Sequence, residues 1–587
     1  MHYLLRNPCD LEGCSKSVLG PIAFCDTCGV IRCAEHMLYP FHACPWFLKQ
    51  DKTMRDREIY GLRRQYENAI LNRTLQGLDS MVIIQQAQAL RPGHTCTFSL
   101  PLDHLAIKRT RGPKNYSGMN IHFPIDFDDG IRWLVRARLV KVYRPPIDMQ
   151  KKIMESEVAT MKFLRMHNIP VPNAWLSHGE DSKSAVTNVN EIGMSLWFTS
   201  LIPNQPLLVE QSPNYFFEEF LGGQPWIRSP TPLTNGIVGE KIARTFITDL
   251  ARLHQSISCI PLAGNGIGSL MPGVEKRSSP QVGPLIQGSL LMTPDPPYFL
   301  GPFKTNKERY LAKIDAVLNC IHQGCIVLVD PVGCFLAHLE MRDLVETNEQ
   351  MSREETEFFV KHADDKNDQY MLAEDGHIVG VLDWEWAYVT TKSEAFCAPT
   401  GLYWNQEWAK GNNALTEEEL ILIGAHESMG RPDLADCVRN GRIYQRLMES
   451  IRDDDPFGPH LHRINALREA FLGEQAGKPY NSIDEWRTAK LHEYRDDKRI
   501  GEIKTWVKSR REESRAETER IRVGEGLPPR VVTKYTMLKR QETEDIGKGK
   551  DGSMNATADG TLADLFSETT HSVTVKEVSI DGASSEL

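Results

Sequence analysis

No stretch of this sequence is apolar for long enough to cross a bilayer: runs such as Ile326 to Val329 and Leu290 to Met292 fall far short of the ~20 residues a spanning helix needs. The start, Met1-His2-Tyr3, has neither the apolar core of a secretory signal nor a glycine for acylation, and the final Ser585-Glu586-Leu587 matches no retention address. A basic stripe able to neutralise a phosphate backbone is missing too. Even the net charge of −10 is mostly local, because residues 551–587 hold seven carboxylates against the single Lys576 and leave about −4 for everything before them. These absences predict no membrane partner, no nucleic-acid partner and a cytoplasmic or nuclear location. What is present in bulk is ordinary: 41% apolar and 25% charged residues predict a soluble globular protein, and 587 residues require two or more folded units.

Cysteine is unevenly spread. Six of the 13 lie within the first 44 residues and stand with two histidines in the order Cys9, Cys14, Cys25, Cys28, Cys33, His36, His42, Cys44. Zinc takes four nitrogen or sulfur ligands in a tetrahedron, and close pairs let one tight turn present two of them, so four pairs suit two ions. So short a segment with few aliphatic residues cannot offset its chain entropy by apolar burial, and metal binding would supply its folding free energy. A disulfide cluster is the competing reading; the missing secretory signal argues for reduced thiols. The ligand spacing resembles the AN-one type zinc finger of stress-associated, ubiquitin-handling proteins. That resemblance implies a cross-braced module with one ion on Cys9, Cys14, Cys33 and His36 and the second on Cys25, Cys28, His42 and Cys44. With all positions filled by protein, both zinc ions are structural, and the module would recruit a partner such as ubiquitin. Four basic and four acidic side chains in residues 1–50 disfavour a nucleic-acid finger. Phe24, Ile31, Met37, Tyr39 and Phe41 suit a small core or one docking face. The other cysteines, at 96, 259, 320, 325, 334, 397 and 437, lack paired spacing and read as buried thiols.

From Asp51 to about Ala89 the pattern is helical, with Leu62, Tyr66 and Ile70 at four-residue steps. Ile121, Phe123, Ile125 and Phe127 then alternate with polar residues or proline, followed by the turn Asp128-Asp129-Gly130 and the run Ile131 to Val135: a strand, a turn and a strand. A helix fits residues 150–166, with Met154, Val158, Met161 and Leu164 on its apolar face. After about residue 505 a charged helical stretch precedes a Ser-, Thr- and Asp-rich tail whose composition predicts disorder.

The strongest signal for chemistry is Lys361-His362-Ala363-Asp364-Asp365-Lys366-Asn367-Asp368-Gln369, followed by Tyr370-Met371-Leu372, the turn Glu374-Asp375-Gly376, and His377 to Leu382 leading into Asp383-Trp384-Glu385. A hairpin there returns Asp383 beside the Asp364 loop. Phosphoryl transfer needs such a pair, one carboxylate to accept the substrate hydroxyl's proton and one to hold magnesium. The region around residues 115–470 resembles the aminoglycoside phosphotransferase and choline kinase-like family, in its large fungal branch, and further resembling fragments are Gly266-Ile267-Gly268-Ser269-Leu270, Pro296 to Phe303, and Glu394-Ala395-Phe396-Cys397.

This resemblance implies an α+β, protein-kinase-like bilobal fold. Its parts would be a zinc finger over 1–50, a helical connector over 51–92, an N-lobe over 93–202, a C-lobe over 203–500, and a charged helix with a disordered acidic tail over 501–587. It implies ATP and Mg2+ as cofactors, Asp364 as the base and Asp383 as the magnesium ligand. The turn Ser117-Gly118-Met119-Asn120 would lie over the nucleotide phosphates, and residues 198–202 would form the adenine hinge. Arg136 would stand where kinases place a phosphate-contacting lysine, with Glu157 as its partner; Glu157 equally fits a surface position on an amphipathic helix. Gln369 replaces the usual second-metal asparagine with a side chain one methylene longer, and Ala363 replaces a glycine. Two functions are therefore expected: an ATP-dependent phosphotransferase for a small-molecule hydroxyl, or a catalytically weak scaffold that binds a protein through the finger. Trp404, Glu407 and Trp408 would line an acceptor pocket or belong to the core.

Overall fold

The computed structural model describes residues 6–8, 17–19, 68, 70–103, 105, 119–139, 147–177, 214–226, 236–263, 266–273, 279–286, 299–324, 328, 330–451 and 459–524. The chain divides into two units, Met1–Ile521 and Arg522–Leu587. Arg6–Pro8 pairs antiparallel with Ser17–Leu19. The eight proposed zinc ligands, Gly118 and the 198–202 hinge lie outside the described residues.

An antiparallel five-stranded sheet organises the first part of the described chain. Its strands are β1 (Cys96–Thr97), β2 (Asn120–Phe127), β3 (Arg132–Arg138), β4 (Ala174–Leu176) and β5 (Tyr215–Glu219), in the order β1-β2-β3-β5-β4. Side chains alternate across a strand, and the two faces here differ sharply. Ile121, Phe123, Ile125, Phe127, Trp133, Val135, Ala137, Tyr215 and Phe217 share one core with Ile70, Leu71, Leu75, Ile83 and Ala87. The last two lie on α1 (Ser80–Leu90), capped by Asp79, whose carboxylate accepts from Met81 N and Val82 N. The helical pattern expected through Ala89 is thus broken at Gly77–Asp79, and its final part covers the sheet. The opposite face carries Asn120, His122, Arg136, Arg138 and Glu218.

Helix α2 (Ile147–Met166) begins three residues before the expected start. It buries Ile153, Val158, Met161 and Leu164, and also Glu157, one turn from Ile153 and Met161. The second core joins α2 to α3 (Gly236–Ser258) and to the strands β6 (Glu357–Lys361), β7 (Tyr370–Leu372), β8 (Ile378–Val381) and β9 (Tyr388–Thr390). A third gathers α4 (Asn306–His322), α5 (Pro331–Thr347) and the later helices, including Ile500 and Ile503 at the start of Lys498–Gly524. The architecture is therefore α+β, with one sheet preceding a mainly helical body. No helix among the described residues is long and apolar enough to cross a membrane.

Candidate active site

The expected hairpin is present: β7 pairs antiparallel with β8, Tyr370 opposite Val381, and Gly376 supplies the positive φ of 91° that the turn requires. The loop before β7 and the bend after β8 are tied together by His362. Its Nε2 lies 2.8 Å from Leu382 O, which can only accept, so Nε2 carries the proton; Nδ1 then accepts from Asp364 N at 3.2 Å. One imidazole thus holds both the residue that precedes Asp383 and the backbone of Asp364. The ring packs against Trp384, centroids 4.7 Å apart.

Asp364 is partly exposed, with Lys366 Nζ 3.0 Å from its Oδ1. Burial raises its carboxyl pKa above the ordinary value, Lys366 opposes the rise, and the charge of Asp383 adds to it. The remaining loop is fastened from within. Asp365 Oδ1 accepts from Thr400 N at 3.0 Å, and Asn367, with φ of 83°, donates through Nδ2 to Gly401 O at 3.0 Å. Gly401 opens α6 after Thr400 (Thr400–Tyr403), and a Cβ there would come within 1.8 Å of Asn367 Oδ1, so only glycine permits this approach. Gln369 is buried, and its Oε1 accepts from Lys366 N at 3.1 Å. Ala363 is not among the non-glycine residues with positive φ, so the substitution for glycine carries no backbone strain.

Asp383 has a φ of 63°, in the left-handed region that aspartate tolerates better than most residues. This bend sends Asp383 and Glu385 toward the polar face of the sheet. Arg136 Nη2 lies 2.5 Å from Asp383 Oδ1, 3.1 Å from Glu157 Oε1 and 3.5 Å from Glu385 Oε2. Glu385 also accepts from Arg138 Nη1 at 2.7 Å and from Asn120 Nδ2 at 2.9 Å. Glu218 stands nearby, 3.5 Å from His122 Nε2.

Four carboxylates therefore surround two arginines in a largely buried space, and the charges do not balance. Burial lowers the pKa of the Arg136 guanidinium, but Glu157, Asp383, Glu218 and Glu385 together leave it well above its usual value. Burial pushes Glu157 well above the carboxylate range despite Arg136, and pushes Glu218 up to about 7. Asp383 ends below its usual value because Arg136 outweighs burial there. Glu157 Oε1 and Arg136 Nε, both buried, lack an aligned hydrogen-bond partner. These carboxylates are gathered on the two arginines and do not converge on one another as a ligand set; among the described residues only His94, Asp128 and Asp129 do so.

Asp364, Asp383, Arg136, Glu157 and Gln369 thus come together. Asn120 requires correction: it opens β2 opposite Arg138 and donates to Glu385, so it belongs to the buried network and not to a phosphate-covering turn. The cause is strand alternation, which puts Asn120 on the same face as His122. Glu157 is buried, which removes the surface-carboxylate alternative. Trp408 is core, 4.5 Å from Tyr403 and under Arg446 at 3.3 Å, whereas Trp404 is 58% exposed and Glu407 pairs with Lys410 at the surface. Sequence reasoning missed Arg138, Glu218, Glu385 and Lys366 as parts of the site. The two-residue spacing of Arg136 with Arg138 and of Asp383 with Glu385 was the available signal.

No protein-family model matches the chain, and no curated protein does. Among solved structures it is similar to a Plasmodium vivax ethanolamine kinase, at 14% identity over 77% of this chain and 97% of that one, with a TM-score of 0.36. It is also similar to a type I macrolide 2′-phosphotransferase, at 14% identity over 67% and 96% with a TM-score of 0.30. A macrolide 2′-phosphotransferase from Brachybacterium faecium gives 12% identity over 66% and 98%, again with a TM-score of 0.30. At such scores the likeness transfers no residue, and the chemistry of the site stands on this chain's own side chains.

Proposed function

We propose that this chain is an ATP-dependent phosphotransferase acting on a hydroxyl of a small molecule. The observation that carries the reading is the clamp by His362, which holds Asp364 and the Asp383 bend together opposite the Arg136–Glu157 pair. In the reaction an acceptor oxygen forms a bond to the γ-phosphorus, the bond from that phosphorus to the β–γ bridging oxygen breaks, and ADP leaves. The acceptor's proton goes to Asp364, whose raised pKa suits a base. Asp383 would hold Mg2+, which when bound neutralises phosphate charge. Arg136 would contact the phosphates after turning from Asp383, and Lys366 lies where it can follow the charge at Asp364.

The test is phosphate transfer from ATP across a panel of amino alcohols, sugars and aminoglycosides. Asp364→Asn is expected to lower kcat by about 10²–10⁴-fold with nucleotide binding retained; unchanged turnover would sink the assignment. A second reading, a catalytically weak scaffold, is favoured by Arg136 sitting on Asp383 and by the engaged oxygen of Gln369. Calorimetry of MgATP on the wild type and Asp383→Asn separates the two, since equal weak affinity in both supports the scaffold. The N-terminal ligand set is proposed, from its spacing, to hold two structural zinc ions and, from its resemblance to the AN-one type finger, to recruit a protein such as ubiquitin in the cytoplasm or nucleus. Metal analysis of the full chain should find two zinc per chain, falling on Cys25→Ser.

A further inference from the structure

Two histidines meet where α3 packs on α7 (Glu417–Ser428). The rings of His254 and His426 are stacked, with centroids 5.6 Å and planes 14° apart, and Phe396 lies 5.6 Å from His254. His426 is fully buried and His254 is 8% exposed. Nδ1 and Nε2 of His426 and Nδ1 of His254 are buried without a hydrogen-bond partner. A buried imidazole usually has at least one nitrogen fixed by an acceptor, as Cys334 O fixes His338 Nδ1 at 2.8 Å. Here packing alone holds the pair, and no acceptor stands ready at these three nitrogens for a further proton.

The surrounding charges do not supply one. Lys361 on β6 acts against a proton on His254, and Arg431, which follows α7, acts against one on His426. Asp433 favours a proton on His426, but its carboxylate is taken by Arg431 and Lys392. Lys361 itself lies beside Asp365 and Cys397, at 3.7 and 3.6 Å. Glu419, two turns earlier on α7, is held by Arg442; Glu427 and Asp436 pair with Arg439; the Cys437 thiol donates to Asp433 O. Burial is the largest cause of the shift in both rings, lowering the His426 pKa to about 4 and that of His254 well below its ordinary value.

The joint adjoins the candidate catalytic loop. Thr416, the N-cap of α7, donates through Oγ1 to Leu402 O at 3.0 Å, and Leu402 belongs to α6, where Asp365 and Asn367 are fastened. We propose that the His254–His426 stack is an acid-sensitive joint: a proton on either ring, with no acceptor to receive it and a cation nearby, frees α7 from α3 and loosens the α6 anchorage of the loop that carries Asp364. The joint is independent of whether the cleft transfers phosphate. Both rings titrate lower in the closed joint than the unperturbed value of 6.5, so the open form binds more protons and the joint loses stability as pH falls from about 6.5 towards about 4.

The experiment is hydrogen exchange of the full chain at about pH 7 and about pH 5, read by mass spectrometry as protection corrected for the intrinsic exchange rate. Protection across α7, and at the Gly401 amide that donates to Asp365 O, is expected to fall at least about tenfold at the lower pH, while α1, which contains no histidine, holds its protection. His254→Leu combined with His426→Phe, which fills the space with groups that do not titrate, is expected to reduce the fall to less than about threefold. Unchanged α7 protection in the wild type would overturn the proposal. So would a fall shared equally by α1, which is global unfolding, or a full tenfold fall in the double variant. If the double variant fails to fold, His426→Phe alone decides, and a fall as large as in the wild type counts against the joint.

Discussion

Two buried arginines in this molecule are built on opposite plans. Arg309 Nη2 meets one carboxylate, Glu394, at 2.6 Å. That carboxylate is also saturated by Tyr310 Oη at 2.8 Å, Tyr388 Oη at 2.9 Å and Thr390 Oγ1 at 2.5 Å. The rings of Tyr310 and Tyr388 flank the guanidinium, 4.1 and 5.1 Å from their centroids. Arg136, by contrast, has three carboxylates within 3.5 Å. Burial raises the pKa of Glu394, but Arg309 and Thr390 reverse the effect and leave it lowered. Burial keeps Glu157 raised, and the charges of Glu385, Asp383 and Glu218 add to the rise that Arg136 opposes. Glu394 has its acceptors filled around one cation, even though Arg309 Nε and Nη1 lack an aligned partner, and belongs to the architecture, whereas the carboxylates around Arg136 outnumber their cations.

The largest effect that could break this contrast comes from emptying the matched site. Glu394→Ala leaves a buried guanidinium and three hydroxyls without their acceptor, and is expected to cost about 3–5 kcal/mol. Urea denaturation reads it as a lower midpoint at constant slope, and a loss below about 1 kcal/mol would place Glu394 outside the architecture. A smaller effect lies at Glu218. Its folded pKa of about 7 exceeds the unfolded value, so the native state holds the extra proton and stability falls as pH rises from about 4.5 to about 7. Glu218→Gln should remove about 3 kcal/mol of that pH dependence; a wild-type stability that is flat across this window would contradict the surplus of charge. The smallest change is expected from Glu157→Gln, because burial raises the Glu157 pKa well above the carboxylate range and glutamine keeps the shape of the protonated acid. Its unfolding free energy should stay within about 0.5 kcal/mol of wild type, and a loss as large as that of Glu394→Ala would erase the distinction.

The sequence made the hairpin legible because its signal is local: the apolar strands, the turn Glu374-Asp375-Gly376 and the returning Asp383 fall within a few residues of one another. The pairing of β2 with β3 was legible for the same reason, and α2 from its period. The departure at Gln369 could also be seen. What it does could not, since the bond to Lys366 N depends on how the loop folds back. The grip of Arg136 on Asp383 spans 247 residues, and alternation tells which side chains share a face without telling what faces them. Asn120 was misplaced on that account: its turn-like neighbours suggested an open loop, and the strand register decided otherwise.

The left-handed backbone at Asp383 governs how its carboxylate can be probed. Asparagine and glycine enter that region readily, so Asp383→Asn removes charge alone. Asp383→Ala removes the charge and also strains the bend, which would loosen the Leu382 carbonyl from His362 and, through that ring, the Asp364 amide. An alanine variant would therefore report a blend of ligand loss and loop movement, and would overstate the part that Asp383 itself plays.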